Sequence, residues 1–209
     1  IYHNPEVKEQ LEELGIPVLV ERSSYEGDPL GRMEWLKLYG VLLGREDEAA
    51  AIYQQELDDL QGVMGQENTG KTVAFFYITS TGAANVRKSG DYVARMIEMA
   101  GGQYVFQDLG DDNALSTVNM QMETFYAEAR DADCLIYNST IDGELHTIDE
   151  LLVKSPLLAD FKAVQEGNVW CTEQNLFQST MGLGDMIQDI HAVLTEEDPE
   201  DLAYLHRLT

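Results

Sequence analysis

The chain has 209 residues, 44% of them hydrophobic, and a formal net charge of −25 at pH 7. This length and composition are typical of a folded protein with one large domain or two small ones. Thirty-eight acidic residues against thirteen basic ones argue against nucleic acids and anionic membrane surfaces as partners, because both need a basic footprint. The longest purely apolar runs are far shorter than the ~20 residues of a membrane-spanning helix.

The opening segment predicts one helix followed by one strand. The run EVKEQLEEL places Val7, Leu11 and Leu14 on one helical face, and the apolar residues 16–20 predict a short strand. A single strand needs partners to be stable. We therefore expect this segment to be the end of a domain rather than a whole one.

Residues 31–62 predict one long, unbroken helix. The apolar residues fall on one helical stripe: Met33, Leu36, Leu43, Ala50, Tyr53, Leu57 and Leu60. Gly40 and Gly44 share a face and allow another backbone to approach closely. At about 1.5 Å per residue the helix would be roughly 45 Å long. The pattern fits either a long core helix or a rigid connection between two lobes.

The rest of the chain alternates strands with helices. Strands are predicted at 72–79, 104–106, 133–138 and 168–172, helices at 91–100, 119–130, 181–194 and 199–208, and helical turns near 148–152 and 156–161. This alternation predicts an α/β fold with a mainly parallel sheet that helices flank on both faces.

The residues that follow the predicted strands are candidates for a ligand site, because ligands gather at the carboxyl ends of strands in open α/β sheets. They are aromatic, hydroxyl, amide and cationic residues: Arg22, Tyr25, Tyr77, Thr79, Ser80, Arg87, Lys88, Asn138, Thr140, Asn175, Phe177 and Gln178. Such a mixture suits a large ligand that is partly aromatic or anionic.

No catalytic or metal-binding motif accompanies these residues. The sequence lacks a nucleophile elbow, a phosphate-binding P-loop and a dinucleotide fingerprint, and the four histidines do not have the spacing of metal ligands. Cys134 and Cys171 lie in separate predicted strands, which favours buried thiols. A disulfide between them stays open, because it depends on a Cα separation below about 7 Å. We therefore predict no enzyme, no catalytic residue, no resident metal and no cofactor.

Five motifs together resemble the substrate-binding proteins of bacterial ABC importers for iron–siderophore complexes, haem and cobalamin. In chain order they are GIPVLVE, DPLGRMEWLKLYGVLLGRED, VRKSGDYVARMIEMAGGQYVF, EARDADCLIYNST and EGNVWCTEQNLF. The similarity covers nearly the entire chain. It implies two α/β lobes bridged by one long helix, with a ferric siderophore, haem or a corrinoid held between the lobes and delivered to a membrane permease.

Proteins of that family normally carry two or more strand–helix units before the GIPVLVE strand, together with a signal peptide and often a lipidated cysteine. The resemblance therefore implies a remnant of the N-terminal lobe at 1–30, the connecting helix at 31–62 and a complete C-terminal lobe at 63–209. It implies a lipoprotein or secreted protein in the periplasm or on the outer face of the cytoplasmic membrane. Exposed apolar surface would favour a dimer of such a fragment.

The resemblance also implies roles for individual residues. Arg87 and Lys88 would pair with carboxylates of the ligand, and Tyr77 and Tyr92 would stack on it or ligate it. Glu123 would dock on arginines of the permease. The polar contacts would come from the strand-end loops, namely Thr79, Ser80, Asn138, Asn175 and Gln178.

Two alternatives remain open at this point. An α/β enzyme or ligand sensor with a similar cleft would show turnover or bind a nucleotide at the Ser80 loop. A zinc or manganese importer component would need several histidines or carboxylates that converge on the cleft, and the positions of the histidines do not favour it.

Overall fold

The structure is a computed structural model that describes residues 4–110 and 116–209. The helices are α1 (Glu6–Glu13), α2 (Pro29–Leu43), α3 (Glu46–Met64), α4 (Tyr92–Met99), α5 (Met122–Ala129), α6 (Ile148–Lys154), α7 (Lys162–Glu166) and α8 (Leu183–Thr195). The strands are β1 (Thr72–Ile78), β2 (Ala84–Arg87), β3 (Gln103–Tyr104), β4 (Thr117–Met120), β5 (Cys134–Tyr137), β6 (Val169–Thr172) and β7 (Leu205–Arg207). Among the described residues, no helix is long and apolar enough to cross a membrane.

All seven strands form one sheet in the order β4-β2-β1-β5-β6-β7, with β3 beside the start of β1. Strands β1, β5 and β6 are parallel, and their residues are buried almost throughout because the sheet is covered on both faces. The predicted α/β fold, with helices flanking a central sheet, is confirmed.

Of the seven strands in the described residues, β1, β3, β4, β5 and β6 run in the same direction, so the sheet is mainly parallel as predicted, while β2 and β7 run the opposite way. The Thr79 amide donates to the Ala83 carbonyl oxygen at 2.8 Å, and Gly82 takes a positive φ of 80°. This tight turn folds β2 back along β1 as an antiparallel neighbour. A parallel partner would have needed a crossover of a dozen residues or more.

The long helix predicted at 31–62 is wrong, since two helices meet at Gly44 and Arg45. Gly44 ends α2 in the left-handed conformation, with φ at 65°, and the Arg45 amide donates to the Gly40 carbonyl oxygen at 2.8 Å. The chain then turns back as α3. The ammonium of Lys37 lies 4.2 Å from the ring centroid of Tyr53, which shows that α3 runs back along α2.

Gly40 does provide the close approach that its position predicts. A Cβ atom built at Gly40 would lie 2.6 Å from the Cβ of Ala49, so no larger residue fits between α2 and α3 there. The two helices form a hairpin whose residues Met33 and Leu60 belong to the same hydrophobic core as Val73 of the sheet. Whether the hairpin connects two lobes stays a prediction.

Three further predictions of secondary structure are wrong. Residues 16–20 adopt no regular secondary structure and pair with no strand of the described chain. The start of the helix predicted at 119–130 belongs to β4, and α5 begins only at Met122. Residues 199–208 are not a helix: the segment ends in β7, which pairs antiparallel with β6.

Asp189 explains why the last segment is extended. Its carboxylate accepts hydrogen bonds from the amides of Ala203, Tyr204 and Leu205, at 3.1, 2.6 and 3.1 Å. A helix needs most of its amides for its own carbonyl groups. Three amides committed to one side chain of α8 therefore keep this segment out of a helix.

Candidate ligand-binding site

Three loops converge on one edge of the sheet, because β1, β5 and β6 are parallel and end side by side. We call residues 79–83, 138–147 and 173–182 the polar rim. It contains seven of the predicted ligand-binding residues, namely Thr79, Ser80, Asn138, Thr140, Asn175, Phe177 and Gln178. Ser80, Asn175 and Gln178 are exposed, Thr79 and Thr140 are half-buried, and Asn138 is buried.

Hydrogen bonds between neighbouring residues hold the middle of the polar rim in place. The Asn138 side-chain oxygen accepts from the amide and the hydroxyl of Thr140, at 3.2 and 2.7 Å. The Ser139 amide donates to the hydroxyl of Thr172 at 3.0 Å and so joins the end of β5 to the end of β6. Ser139 and Thr172 are buried supports that the sequence did not single out.

Next to the polar rim, four side chains, one of them Phe177 of the rim itself, form what we call the arginine–aromatic stack. The guanidinium carbon of Arg32 lies 3.6 Å from the ring centroid of Tyr92, and the rings of Tyr92 and Phe177 meet edge to face at 6.4 Å. The guanidinium carbon of Arg87 lies 4.7 Å from the Phe177 centroid. The stack thus links α2, α4, the loop after β6 and β2.

Burial controls the ionisation of the stack. It raises the pKa of Tyr92 to about 12, although the nearby arginines Arg87 and Arg32 oppose the shift. It also lowers the pKa of Arg32, an effect that the neighbouring Tyr92 and Asp91 oppose. The tyrosine is therefore neutral at physiological pH, and its ring face is available for a cation–π contact.

Arg87 and Lys88 do not lie on the loop that follows β1. Arg87 ends β2 and is level with Phe75, since Phe76 pairs with Val86. Its guanidinium approaches the carboxylate of Asp91 at 3.6 Å, and the two side chains are only 13% and 2% exposed. Arg87 is therefore engaged by protein groups, and a contact between Arg87 or Lys88 and a ligand stays a prediction.

Arg32 also fixes the turn that precedes α2. Its Nε donates to the carbonyl oxygen of Glu26 at 2.9 Å, and its Nη2 donates to that of Ser24 at 2.8 Å. The predicted residues Arg22 and Tyr25 are exposed on this turn, and the guanidinium carbon of Arg22 lies 5.8 Å from the ring centroid of Tyr25. Arg32 was not among the predicted site residues, because nothing local to the sequence marks it as different from other helical arginines.

Two other predicted site residues lie near the same edge. Tyr77 is half-buried, one residue before the end of β1. Strand β4 runs antiparallel to β2 and hence parallel to β1. Glu123 follows the carboxyl end of β4 and therefore lies at the same edge of the sheet as the polar rim. Glu123 is exposed in the first turn of α5.

The described residues contain no cluster of three or more histidine, cysteine, aspartate or glutamate side chains that could hold a metal ion. Cys134 and Cys171 are free and buried. They lie on neighbouring strands, but Cys171 pairs with Tyr137, three residues beyond Cys134, so the thiols point to opposite faces. Burial raises the pKa of Cys134 to about 12 and that of Cys171 to about 11.

Known proteins share this sequence pattern and this fold. An uncharacterized lipoprotein of Methanocaldococcus jannaschii is 30% identical over 200 residues, which cover 94% of this chain and 46% of that protein. The chain therefore spans about half the length of this relative. An ABC-type Fe3+-hydroxamate transport system of Saccharomonospora viridis superposes with a TM-score of 0.72 at 20% identity, covering 90% of this chain and 65% of that one.

The periplasmic heme binding protein HutB of Vibrio cholerae gives a TM-score of 0.71 at 18% identity, covering 90% of this chain and 71% of its own. Both solved structures have the fold described above. The sequence model of the periplasmic binding protein family matches residues 2–176. The chain belongs to the periplasmic binding protein family.

Proposed function

We propose that the chain carries one wall of the ligand cleft in the solute-binding component of an ABC importer. Its ligand is a metal chelate, namely a ferric siderophore, haem or a corrinoid, which a membrane permease receives from it. The observation that carries the proposal is the convergence of three polar loops on one edge of the sheet, next to a turn that Arg32 holds against α4. Membership of the periplasmic binding protein family supports it.

The chemistry of the polar rim favours binding over catalysis. Many of its side chains are hydroxyls and amides, and some of them form hydrogen bonds within the loops or to β6, such as Asn138 with Thr140 and Ser139 with Thr172. This arrangement pre-orients donors and acceptors for a ligand, which is how binding sites gain affinity at low entropic cost. Among the described residues, no group of three or more histidine, cysteine, aspartate or glutamate side chains could hold a metal ion.

We assign direct ligand contacts to the exposed and half-buried groups of this edge. They are Thr79, Ser80, Thr140, Asn175 and Gln178 for hydrogen bonds, and Tyr25 and Tyr77 for aromatic contacts. Tyr92, Phe177 and Arg87 support this surface from beneath, and Asn138 holds the loop after β5. The second wall of the cleft comes from the remainder of a longer protein, since the chain spans about half of its relative.

Delivery of the ligand requires a docking surface and a location outside the cytoplasm. Glu123 is exposed on the same side of the sheet as the polar rim, so it can meet arginines of a permease while the ligand faces the membrane. One relative is described as a lipoprotein. We therefore propose a protein of the periplasm or of the outer face of the cytoplasmic membrane, anchored or secreted.

Equilibrium dialysis tests the proposal with a panel of ferric siderophores, haem and cobalamin. We expect saturable 1:1 binding of at least one of them and recovery of the ligand chemically unchanged. The double variant Asn175→Ala/Gln178→Ala should weaken binding roughly 5- to 150-fold, since each net hydrogen bond is worth about 0.5–1.5 kcal/mol.

The matched control is Gln54→Ala/Gln55→Ala, which removes two exposed amides from α3 and should leave the dissociation constant unchanged. If the folded chain bound none of these chelates, the proposal would be contradicted. Chemical conversion of a retained ligand would favour the enzyme alternative.

A further inference from the structure

The polar rim carries no lysine or arginine of its own. We infer that its ligand presents an uncharged, hydrogen-bonding surface to it, so that the transported species is a neutral chelate covered by hydroxamate, amide or hydroxyl groups. Haem with ionised propionates and trianionic tris-catecholate complexes are then poor ligands. The inference rests on the proposed function and narrows the ligand class of the same site.

The charged side chains of the three loops are carboxylates. Residues 79–83 are uncharged, 138–147 include Asp142 and Glu144, and 173–182 include Glu173. Side chains from other elements contact these acids. The Lys154 ammonium pairs with Asp142, and the His206 ring lies 3.2 Å from the Glu173 carboxylate.

The one histidine of the polar rim, His146, is also engaged by the protein. Its ring lies against that of His206, with the two centroids 5.1 Å apart. This face of the His146 ring is therefore occupied by a protein group.

The arginines next to the polar rim are committed to protein groups as well. Arg32 donates to two backbone carbonyl groups, and Arg87 faces Asp91. Because β2 runs antiparallel to β1, Arg87 and Lys88 lie toward the start of β1, roughly 10–13 Å from its carboxyl end at ~3.3 Å per residue. Arg22 is exposed on the turn before α2 and lies outside the three loops.

The electrostatic consequence follows from the net charge of −25. An anionic chelate would enter a field of like sign and would meet no lysine or arginine in the polar rim to offset the loss of its hydration. A neutral chelate has no net charge whose hydration would be lost on binding. It would instead receive directional hydrogen bonds from groups such as Ser80, Asn175 and Gln178, and its affinity would depend little on salt.

Paramagnetic broadening of amide resonances tests the inference directly on the 209-residue chain. Ferric complexes broaden nearby amides even when binding is weak, and the gallium complexes serve as diamagnetic controls. A neutral ferric tris-hydroxamate should broaden amides of 79–83, 138–147 and 173–182 with a midpoint at least about tenfold below that of a ferric tris-catecholate trianion. Raising the salt from about 20 to about 300 mM should improve binding of the trianion and leave the neutral chelate within about twofold.

A charge-adding variant provides the second arm. Asn175→Lys places an ammonium in the polar rim and should improve binding of the trianion roughly tenfold without improving binding of the neutral chelate. Gln61→Lys makes the same change in net charge on exposed α3 and should alter neither midpoint. Equal or tighter binding of the trianion by the unmodified chain would overturn this inference alone. Failure of every chelate to broaden the polar rim would overturn the proposed function with it.

Discussion

The guanidinium group of Arg32 lies over Tyr92, with its central carbon 3.6 Å from the ring centroid. The same group donates to the carbonyl oxygens of Glu26 and Ser24, at 2.9 and 2.8 Å. One side chain of α2 thereby joins α4 to the turn that exposes Arg22 and Tyr25. This contact fixes where the N-terminal segment stands relative to the polar rim.

Replacing Arg32 by lysine should loosen that turn. Lysine keeps the charge but has no planar fork to reach two carbonyl groups while it stacks on a ring. We expect Arg32→Lys to lower the free energy of unfolding by about 1–3 kcal/mol, measured by urea denaturation. Hydrogen exchange of the amides at 23–26 should become faster, while exchange in β5 and β6 should change only through the global stability.

Arg45→Lys is the matched control. Arg45 pairs with Glu48 at 2.8 Å, and both side chains are at least 60% exposed, so this pair adds little to stability. We expect a change within about 0.5 kcal/mol. Equal losses in the two variants would show that Arg32 contributes only as an ordinary surface charge.

Gly40 is the position at which the α2–α3 hairpin tolerates no side chain. Alanine is the better helix former by about 1 kcal/mol, yet a Cβ atom here would lie 2.6 Å from the Cβ of Ala49 and 3.1 Å from the Arg45 carbonyl oxygen. We expect Gly40→Ala to destabilise the protein by about 1–3 kcal/mol in urea or thermal denaturation, because the helices must move apart.

Two further variants separate packing from helix propensity. Gly62 lies in α3, and a Cβ atom added there would meet no other atom within 4 Å, so Gly62→Ala should stabilise the protein by about 0.5–1 kcal/mol. Combining Gly40→Ala with Ala49→Gly should recover part of the loss. If Gly40→Ala raised the stability as Gly62→Ala does, the close approach of the two helices would be refuted.

The hairpin also shows what the sequence could predict and what it could not. Part of the predicted apolar stripe packs into the core, namely Met33, Tyr53 and Leu60, whereas Leu43 and Ala50 are exposed. The period of the stripe continues across Gly44, so periodicity alone indicated one helix. The reversal depends on the left-handed conformation of Gly44, and a glycine inside a helical pattern does not reveal which conformation it adopts.

The sheet divides in the same way. Strands β1, β5 and β6 are continuous apolar runs because both of their faces are buried, and the sequence located all three. Strands β2, β4 and β7 are short and partly exposed, so their pattern carries little information and their pairing decides their conformation. The loops of the polar rim could be predicted from strand ends. Arg32 could not, because its role arises from a tertiary contact.

The two thiols should be unreactive in the folded protein. Cys134 and Cys171 are fully buried, and burial raises the pKa of both groups, so the nucleophilic thiolate is scarce. We expect a disulfide-exchange reagent such as dithionitrobenzoate to modify neither thiol in native buffer and both in denaturant.

Oxidising conditions should likewise leave the mass of the intact protein unchanged, since the register of β5 and β6 holds the thiols on opposite faces. The control is a surface cysteine introduced by Ser80→Cys, which should react at once. Rapid native reaction of Cys134, or an internal disulfide by mass spectrometry, would contradict the register.

Asp133 makes stability depend on pH. Its carboxylate accepts from the Lys162 ammonium at 2.5 Å and from the amide and hydroxyl of Thr72 at 2.8 and 2.9 Å, which ties α7 and β1 to the start of β5. Burial alone would raise the pKa of Asp133, but these hydrogen bonds outweigh it and lower the pKa below the ordinary 3.8.

A depressed carboxyl pKa stabilises the folded state fully above the pKa of the unfolded chain, and the stabilisation is lost as the pH falls through the lower, folded value. We therefore expect Asp133→Asn to cost about 1–3 kcal/mol at pH 7 and progressively less below about pH 3.8, measured by urea denaturation at each pH. Asp131→Asn is the control. Because the Asp131 side chain is 83% exposed, this substitution should not lower the free energy of unfolding in the same way. If the loss of unfolding free energy caused by Asp133→Asn stayed constant down to about pH 2, the ionised carboxylate would not be what stabilises the contacts of Asp133 with Lys162 and Thr72.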